Sequence, residues 1–443
     1  MSSSNNTRDL FRDPWFCILI FLNVVVWVWA KIEWIKDTIW PWIMEHTDST
    51  LFVTLIATVV GALIVRWIIN RITFLRFSSK PFITFEADSS QVLSMSKEVP
   101  NLKYSVGEKR WEKLGTQNVV FGGNRGKLML KGRSTDGTNR ANISFATDAQ
   151  VICTGDIRTL INYKRYYNAD TKNASFSHLF EGCTQLVLAP ELPATQLANY
   201  CYMLMFSGCT SLKTAPELPA TEMAECCYAG MFNGCTSLKT TPKLPATELA
   251  DTCYGNMFSG CTALKTAPEL PATEMAEKCY DAMFSGCTSL KTAPDLPSSK
   301  LAFMCYSEMF SGCTSLKTAP ELPATQLAKW CYSEMFSGCT SLKNMRFPNY
   351  GYNGLLGYAP LVTDPDLPAM ELVDGCYSRM FSGCSSLSVI YMIAVNVPNK
   401  NCLGGWLKST SPTGTLYKNK NAHWDDEGIV PEGWEVVLVE PVE

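Results

Sequence analysis

MFNGCTSLKTTPKLPATEL, the stretch from Met231 to Leu249, is one copy of a repeat that returns every 26 residues. Two columns of cysteines mark this period, one following Phe-x-Gly and the other preceding a tyrosine. The Gly-Cys column contains Cys183, Cys209, Cys235, Cys261, Cys287, Cys313, Cys339 and Cys384, and the Cys-Tyr column contains Cys201, Cys227, Cys253, Cys279, Cys305, Cys331 and Cys376. Both columns are interrupted by an insertion of 19 residues near 344–361. Such self-similarity predicts a solenoid over residues 176–389, because each unit buries its apolar face only against its neighbours.

Each copy is predicted to combine one short helix with one short strand, which makes the fold class α+β. Leu249, Cys253 and Met257 lie at positions i, i+4 and i+8, a spacing typical of an apolar helical stripe. Gly260 suits the left-handed residue that ends a helix. The next segment, CTALKTAPELP, contains two prolines that fit a short strand followed by a return.

Two charged columns run along this strand segment. The lysine column contains Lys213, Lys239, Lys265, Lys291, Lys317 and Lys343, and the acidic column contains Glu217, Glu269, Asp295, Glu321 and Asp366. In the regular copies they are four residues apart, so both are expected on one face of an extended strand. Lys243 interrupts the acidic column once. The columns are a candidate binding surface for an extended or repetitive partner, or a solvated face that was copied with its unit.

The insertion RFPNYGYNGLLGYAP is the only local irregularity of the array. It places Tyr350, Tyr352 and Tyr358 among glycines. Aromatic side chains on an adaptable loop often determine binding specificity, so these tyrosines join the candidate binding surface. The alternative is a tolerated surface insertion.

The repeat resembles the BspA-like leucine-rich repeats of bacterial surface proteins. The resemblance is carried by MFSGCTSLKTAPELPAT, which has the aromatic-x-Gly-Cys-x-x-Leu core and the proline-closed segment of that family, and it covers residues 176–390. It implies a curved leucine-rich-repeat-type solenoid, an extracellular repeat domain, and a role in surface attachment and partner binding.

The beginning of the chain is predicted to form a membrane anchor over residues 1–80. Two apolar runs, WFCILIFLNVVVWVWA and LFVTLIATVVGALIV, predict transmembrane helices at about 15–34 and about 50–69, with a buried soluble hairpin as the alternative. The chain would then be a two-pass integral membrane protein with the lipid bilayer as a partner, and Asn23 and Gly61 could support self-association of the hairpin. Basic residues flank the outer ends of the runs, which favours cytoplasmic repeats. This orientation conflicts with the extracellular placement that the resemblance implies.

Two flanking regions and the cysteines complete the predicted organisation. Short β-rich runs separated by polar turns predict a small antiparallel β domain over 81–165 that caps the solenoid. Tryptophans with Gly, Pro and Asn turns predict a β-rich C-terminal cap over 390–443. The repeat cysteines are predicted to be reduced and packed, since a small apolar side chain fits their positions.

The sequence favours a binding function over catalysis. It contains three scattered histidines and no phosphate-binding Gly-rich motif, so we expect no enzyme, no metal and no cofactor. The formal net charge is −3, and no basic stripe indicates nucleic acid. The leading hypothesis is a membrane-anchored, non-enzymatic recognition protein that binds a protein or glycan through its solenoid. An intracellular sensor or scaffold with a membrane-hairpin output, and a structural spacer, are the alternatives.

Overall fold

The computed structural model describes residues 81–346 and 371–439, except for the single positions 170, 325, 393, 426 and 427. The chain divides into two compact units, Met1–Lys80 and Pro81–Glu443, and the description that follows concerns the second. This unit contains a small β domain, a series of regular coils, and a terminal parallel sheet.

The β domain is built from short antiparallel strands. They are β1 (Ile83–Glu86), β2 (Gln91–Met95), β3 (Lys103–Val106), β4 (Glu112–Lys113), β5 (Val119–Phe121), β6 (Leu128–Lys131), β7 (Ile143–Phe145) and β8 (Val151–Thr154). The larger sheet has the order β4-β3-β6-β1-β8-β9, where β9 (Leu186–Leu188) belongs to the first coil and lies parallel to β8. The smaller sheet has the order β5-β2-β7. Alternate residues of β1 and β2 are buried, as expected for strands with one face on a core.

The core of the β domain continues directly into the solenoid. Phe85 packs its ring against Phe121 and Phe145 within the domain and against Phe180 of the first coil, at a centroid distance of 6.2 Å for Phe180. The Cys183 thiol donates a hydrogen bond to the carbonyl oxygen of Ile143 at 3.0 Å. The β domain therefore covers the apolar end that the first coil would otherwise expose, as a solenoid requires.

The predicted repeat helix is wrong, because each coil is a succession of tight turns. In the coil from Ala198 to Cys209, amide groups donate to the carbonyl three residues earlier, as in Cys201 to Ala198 and Met205 to Tyr202. Every fourth residue has a positive φ, for example 54° at Leu204 and 71° at Gly208. A positive φ at the third position is characteristic of a type II turn, so the chain turns a corner at each of these residues.

These turns place side chains inside and outside in alternating pairs. Cys201 and Tyr202 are buried, the next two residues are partly exposed, and Met205 and Phe206 are buried again. The true period is therefore four residues, not the 3.6 of a helix. The described residues contain a single α-helix, α1 (Thr159–Asn162), and three short 3₁₀ segments at Gly123–Arg125, Tyr166–Asn168 and Lys400–Leu403. The predicted α+β class is corrected accordingly to a solenoid of turns and strands.

Neighbouring coils are joined by hydrogen bonds and by stacked rings. The amides of Tyr202, Leu204 and Phe206 donate to carbonyl groups of the next coil at 2.8–2.9 Å. Inside, the phenylalanines form one ladder and the tyrosines another, as in Phe206–Phe232 at 5.6 Å between ring centroids with an interplanar angle of 5°. Rings that overlap in this way bury large apolar areas, and the ladders give the solenoid a continuous core.

The proline-containing side of each regular coil is extended but forms no continuous sheet. Parallel pairing is limited to isolated bridges such as Thr214 with Thr240 and Thr266 with Thr292. Proline has no N–H to donate, so the Ala-Pro-Glu-Leu-Pro segments cannot extend these bridges into ladders.

The last coils form a true parallel sheet. It contains β10 (Asn344–Arg346), β11 (Val389–Met392), β12 (Gly414–Asn419) and β13 (Trp434–Val439), in that order. A degenerate coil lies between β11 and β12: Tyr377 donates to the carbonyl oxygen of Cys402, and Phe381 donates to that of Trp406. Cys402 thus continues the Cys-Tyr column, and the buried indole of Trp406 occupies the place that methionine holds in the regular coils.

The predicted two-pass membrane topology is corrected. No helix within residues 81–346 and 371–439 has both the length and the apolar character needed to cross a bilayer. The two runs at about 15–34 and about 50–69 lie outside the described residues. The two-helix hairpin, the integral membrane localisation and the orientation drawn from the flanking charges are therefore not retained.

Candidate binding surface

The lysine column lies on the outer surface of the extended segment. Lys213, Lys239, Lys265, Lys291, Lys317 and Lys343 are all exposed. Each follows a fully buried leucine, such as Leu212 before Lys213, so the buried leucine fixes the direction of the neighbouring lysine. The amide of Lys239 donates to the carbonyl oxygen of Lys213 at 3.0 Å, and Lys291 donates to Lys265 at 3.3 Å. Consecutive lysines therefore extend from adjacent, hydrogen-bonded coils.

The acidic column is exposed on the same segment. Glu217, Glu269, Asp295 and Glu321 are exposed, and each precedes a buried leucine. A proline stands on the N-terminal side of each acid, and a second proline follows the leucine. We call the exposed surface of residues 213–219 and its equivalents in the next four coils the KTAPELP face.

The KTAPELP face contains a shallow groove between neighbouring coils. One such groove, of about 430 Å³, is lined by Pro268, Glu269, Pro271, Pro294 and Asp295 among other residues. Prolines restrict the backbone at both sides of the carboxylate, so the groove is rigid before any partner binds.

The charges of the KTAPELP face make no ion pairs with other described residues. Among the residues that the structure describes, no salt bridge includes a member of either column. The lysine and the acid of one coil are four residues apart on an extended segment, and both side chains are exposed. The face therefore presents regularly spaced cations and anions to solvent, available to a partner.

The predicted tyrosine cluster lies outside the described residues. Tyr350, Tyr352 and Tyr358 fall in the segment 347–370, and the membrane-run positions Asn23 and Gly61 fall before residue 81. The structure brings together the lysine column and the acidic residues Glu217, Glu269, Asp295 and Glu321, while Asp366 also lies outside the described residues.

The cysteines of the two repeat columns are buried thiols, as predicted. The Gly-Cys column has a specific role: the Cys235 thiol donates to the carbonyl oxygen of Phe206 at 3.1 Å, and the same bond recurs between Cys261 and Phe232. The phenylalanine carbonyl also accepts the amide of its own turn, so the thiol satisfies its second lone pair. Burial raises the pKa of Cys235 to about 12 and that of Cys279 to about 12. These thiols are structural, since a nucleophile requires an accessible thiolate.

Two features of the surface were missed by sequence reasoning. Glu222, Glu248 and Glu274 form a second acidic column joined by parallel bridges, and Glu225, Asp251 and Glu277 form a third on the first turn of each coil. Their 26-residue spacing was visible in the sequence, but only the columns of the strand segment were considered as a binding surface. Both columns occupy three consecutive coils and return at Glu371 and Asp374 after two coils without an acid at these positions, whereas the lysine column is continuous over six coils.

The chain was compared with known proteins. A family model described as the BspA type leucine-rich repeat region matches six copies, over residues 173–317, 228–352 and 256–394. No curated protein and no solved structure matches the chain.

Proposed function

The chain belongs to the BspA-type leucine-rich repeat family, and we propose that it is a non-enzymatic binding protein that recognises a protein partner through the KTAPELP face. The observation that carries the proposal is the exposure of two opposite charge columns that form no ion pair with residues 81–346 or 371–439. BspA-type repeats are interaction repeats, which agrees with a binding role.

The face suits a protein partner for two physical reasons. First, its prolines hold the backbone rigid, so little conformational entropy is lost on binding. Second, its charges are of both signs, and complementary charges increase the association rate and select the partner more than they increase affinity. A nucleic acid would require one dominant positive stripe, and an acid lies beside the lysine in four of the five coils of the face.

Single exposed ion pairs contribute little, so the proposal depends on repetition. One surface pair is worth about 0.2–1 kcal/mol, and several pairs formed together reach the range of a specific transient complex. Such binding weakens with salt, because exposed charges are screened beyond about 10 Å at 0.1 M ionic strength.

The experiment is covalent crosslinking of the full chain in its native cells. The test variant carries Lys213→Glu, Lys265→Glu, Lys291→Glu and Lys317→Glu. The control variant carries the same four-charge reversal on exposed lysines of the β domain, at Lys97, Lys103, Lys109 and Lys164. We expect partner proteins that crosslink to the wild type and to the control variant to be lost from the test variant. Equal crosslinking of all three chains would contradict the proposal and favour a structural spacer.

A further inference from the structure

We propose that the KTAPELP face also binds a second copy of this chain, with the two solenoids side by side and pointing in the same direction. The inference rests on the proposed function, because it names one partner for the same face. It is carried by the charge pattern of the face and by the spacing of its coils.

The spacing of the coils restricts which partners can match the face over its whole length. Ring centroids of successive coils are separated by 5.6–5.8 Å, as in Phe232–Phe258 and Tyr254–Tyr280. An extended peptide advances about 3.3 Å per residue, so charges on every second residue drift by about 0.9 Å per coil and are out of register after about three coils. A second copy has the same rise by construction and stays in register over every coil.

The charges select one of the two symmetric ways to place such faces together. The twofold axis of a symmetric dimer can lie across the solenoids or along them. An axis across the solenoids turns one copy end for end and brings lysine column against lysine column. An axis along the solenoids exchanges the two columns, so each lysine column meets the acidic column of the other copy. Only the second arrangement is electrostatically favourable, because like charges placed directly opposite each other repel.

In this arrangement each coil of one copy faces the same coil of the other copy. Lysines and acids of the same coil then form the intermolecular pairs, which are Lys213 with Glu217, Lys265 with Glu269, Lys291 with Asp295, and Lys317 with Glu321. Each pair occurs twice because of the symmetry. The coil that contains Lys239 is the exception, since Lys243 stands where an acid would be.

Lys243 makes the proposed contact weaker than the pattern allows. Lys239 of one copy would face Lys243 of the other, twice per dimer, in the second of the five coils of the face. The self-contact is therefore expected to be reversible and to dissociate at high salt, since exposed charges contribute most of it.

The test uses two purified full-length variants with opposite faces. The first carries the four Lys→Glu substitutions at positions 213, 265, 291 and 317, which make both columns negative. The second carries Glu217→Lys, Glu269→Lys, Asp295→Lys and Glu321→Lys, which make both columns positive. Sedimentation velocity measures self-association of the wild type, each variant alone, the equimolar mixture, and the reversal of Lys97, Lys103, Lys109 and Lys164 as the control.

We expect the wild type and the control to self-associate, each variant alone to be monomeric, and the mixture to form a heterodimer. Circular dichroism and thermal unfolding identify a variant that has failed to fold, and the mixture provides a second test because it restores complementarity. A monomeric wild type, or a mixture that does not associate, would overturn the inference. If self-association is absent while cellular crosslinking still depends on the lysines, the inference fails and the proposed function stands. If neither self-association nor cellular crosslinking depends on the lysines, both the inference and the proposed function fail.

Discussion

The regular coils and the terminal coils of this solenoid stack in the same way on their turn side but differ in the backbone pairing of their extended side. In the regular coils, the extended side contains two prolines and is joined only by isolated bridges. In the terminal coils the equivalent segments lack proline, and β12 and β13 pair over six residues each. The turn side is the same in both, with coil-to-coil hydrogen bonds such as Phe206 to Met231 and Phe381 to Trp406. The turn side therefore defines the solenoid, and the extended side is free to vary.

This difference agrees with the proposed binding face on the regular coils. A continuous sheet would occupy the backbone groups and place alternate side chains in a pleat, as in β12, where Leu416 is buried. The proline-framed segment instead keeps the charged side chains of both columns on the outside. Stability comes from the aromatic ladders and turns, and recognition is assigned to the extended side.

The largest expected effect comes from breaking a ladder in its middle. Phe258 stacks on Phe232 and on Phe284 at centroid distances of 5.6 and 5.7 Å and is fully buried. We expect Phe258→Ala to lower the free energy of unfolding by about 3–5 kcal/mol, since a large cavity opens between two coils. Phe303→Ala, at an exposed site two coils further along, should change it by less than about 0.5 kcal/mol. Chemical denaturation of the full chain measures both, and equal effects would show that the ladders do not stabilise the solenoid.

A proline placed in the terminal sheet should interrupt its backbone pairing, as prolines do in the regular coils, and lower the free energy of unfolding. The amide of Thr415 in β12 donates to the carbonyl oxygen of Ser388 at 2.8 Å. Thr415→Pro removes this donor from an inner strand, and we expect a loss of about 3 kcal/mol in the free energy of unfolding. Thr415→Ala keeps the donor and serves as the control, with a loss below about 1 kcal/mol. If thermal unfolding shows no difference between these variants, backbone pairing does not distinguish the terminal coils.

A smaller, pH-dependent effect is expected within the regular coils. Asp281 has one carboxylate oxygen buried without a hydrogen-bond partner, and burial raises its pKa from 3.8 to about 6. The same position holds Ser307 and Ser333 in the next two coils, and the Ser333 hydroxyl donates to the carbonyl oxygen of Ser378. Because the folded state binds the proton more tightly, the wild type loses stability as the pH rises from 3.8 to about 6.

Asp281→Ser should therefore stabilise the chain above pH 6, by about 1 kcal/mol once the partial exposure of the carboxylate is allowed for. The gain should disappear below about pH 3, where the carboxyl group is protonated in both the folded and the unfolded state. Melting temperatures of the two chains across this pH range measure the effect. A gain that is independent of pH would show that the charge of Asp281 is not its source.

Much of the solenoid could be predicted from the sequence, and the main error of that prediction, the repeat helix, has a physical cause. The 26-residue period, the buried cysteines and the exposed columns followed from spacing alone. The helix prediction was wrong because Leu249, Cys253 and Met257 fit both a 3.6-residue and a four-residue period over two turns. These three positions alone therefore do not distinguish a helix from a series of four-residue turns. A helix rotates by about 40° beyond a full turn in four residues, so it would carry Cys261, at the next step of four, off the stripe. Cys261 is fully buried, which was the available signal for corners of four residues.

The degenerate coil between β11 and β12 was missed because its backbone continues the solenoid although its sequence motif does not. Cys402 keeps the 26-residue step from Cys376, but the motif around it has changed to CLGGWL. Sequence comparison between copies relies on side chains, whereas the hydrogen bonds that continue the solenoid use the backbone. The contact between the Cys376 and Cys402 thiols, which lowers the pKa of Cys402 to about 7, is equally invisible in one sequence.

The most direct test of the charged face is to complete it with a single substitution. Lys243→Glu restores the acidic column and turns two like-charge contacts of the proposed dimer into opposite-charge pairs. We expect the dissociation constant of the full chain, measured by sedimentation equilibrium, to fall by about fivefold to tenfold at low salt, with the gain lost at high salt. An unchanged or increased dissociation constant would contradict the claim that the two columns are recognised coil by coil.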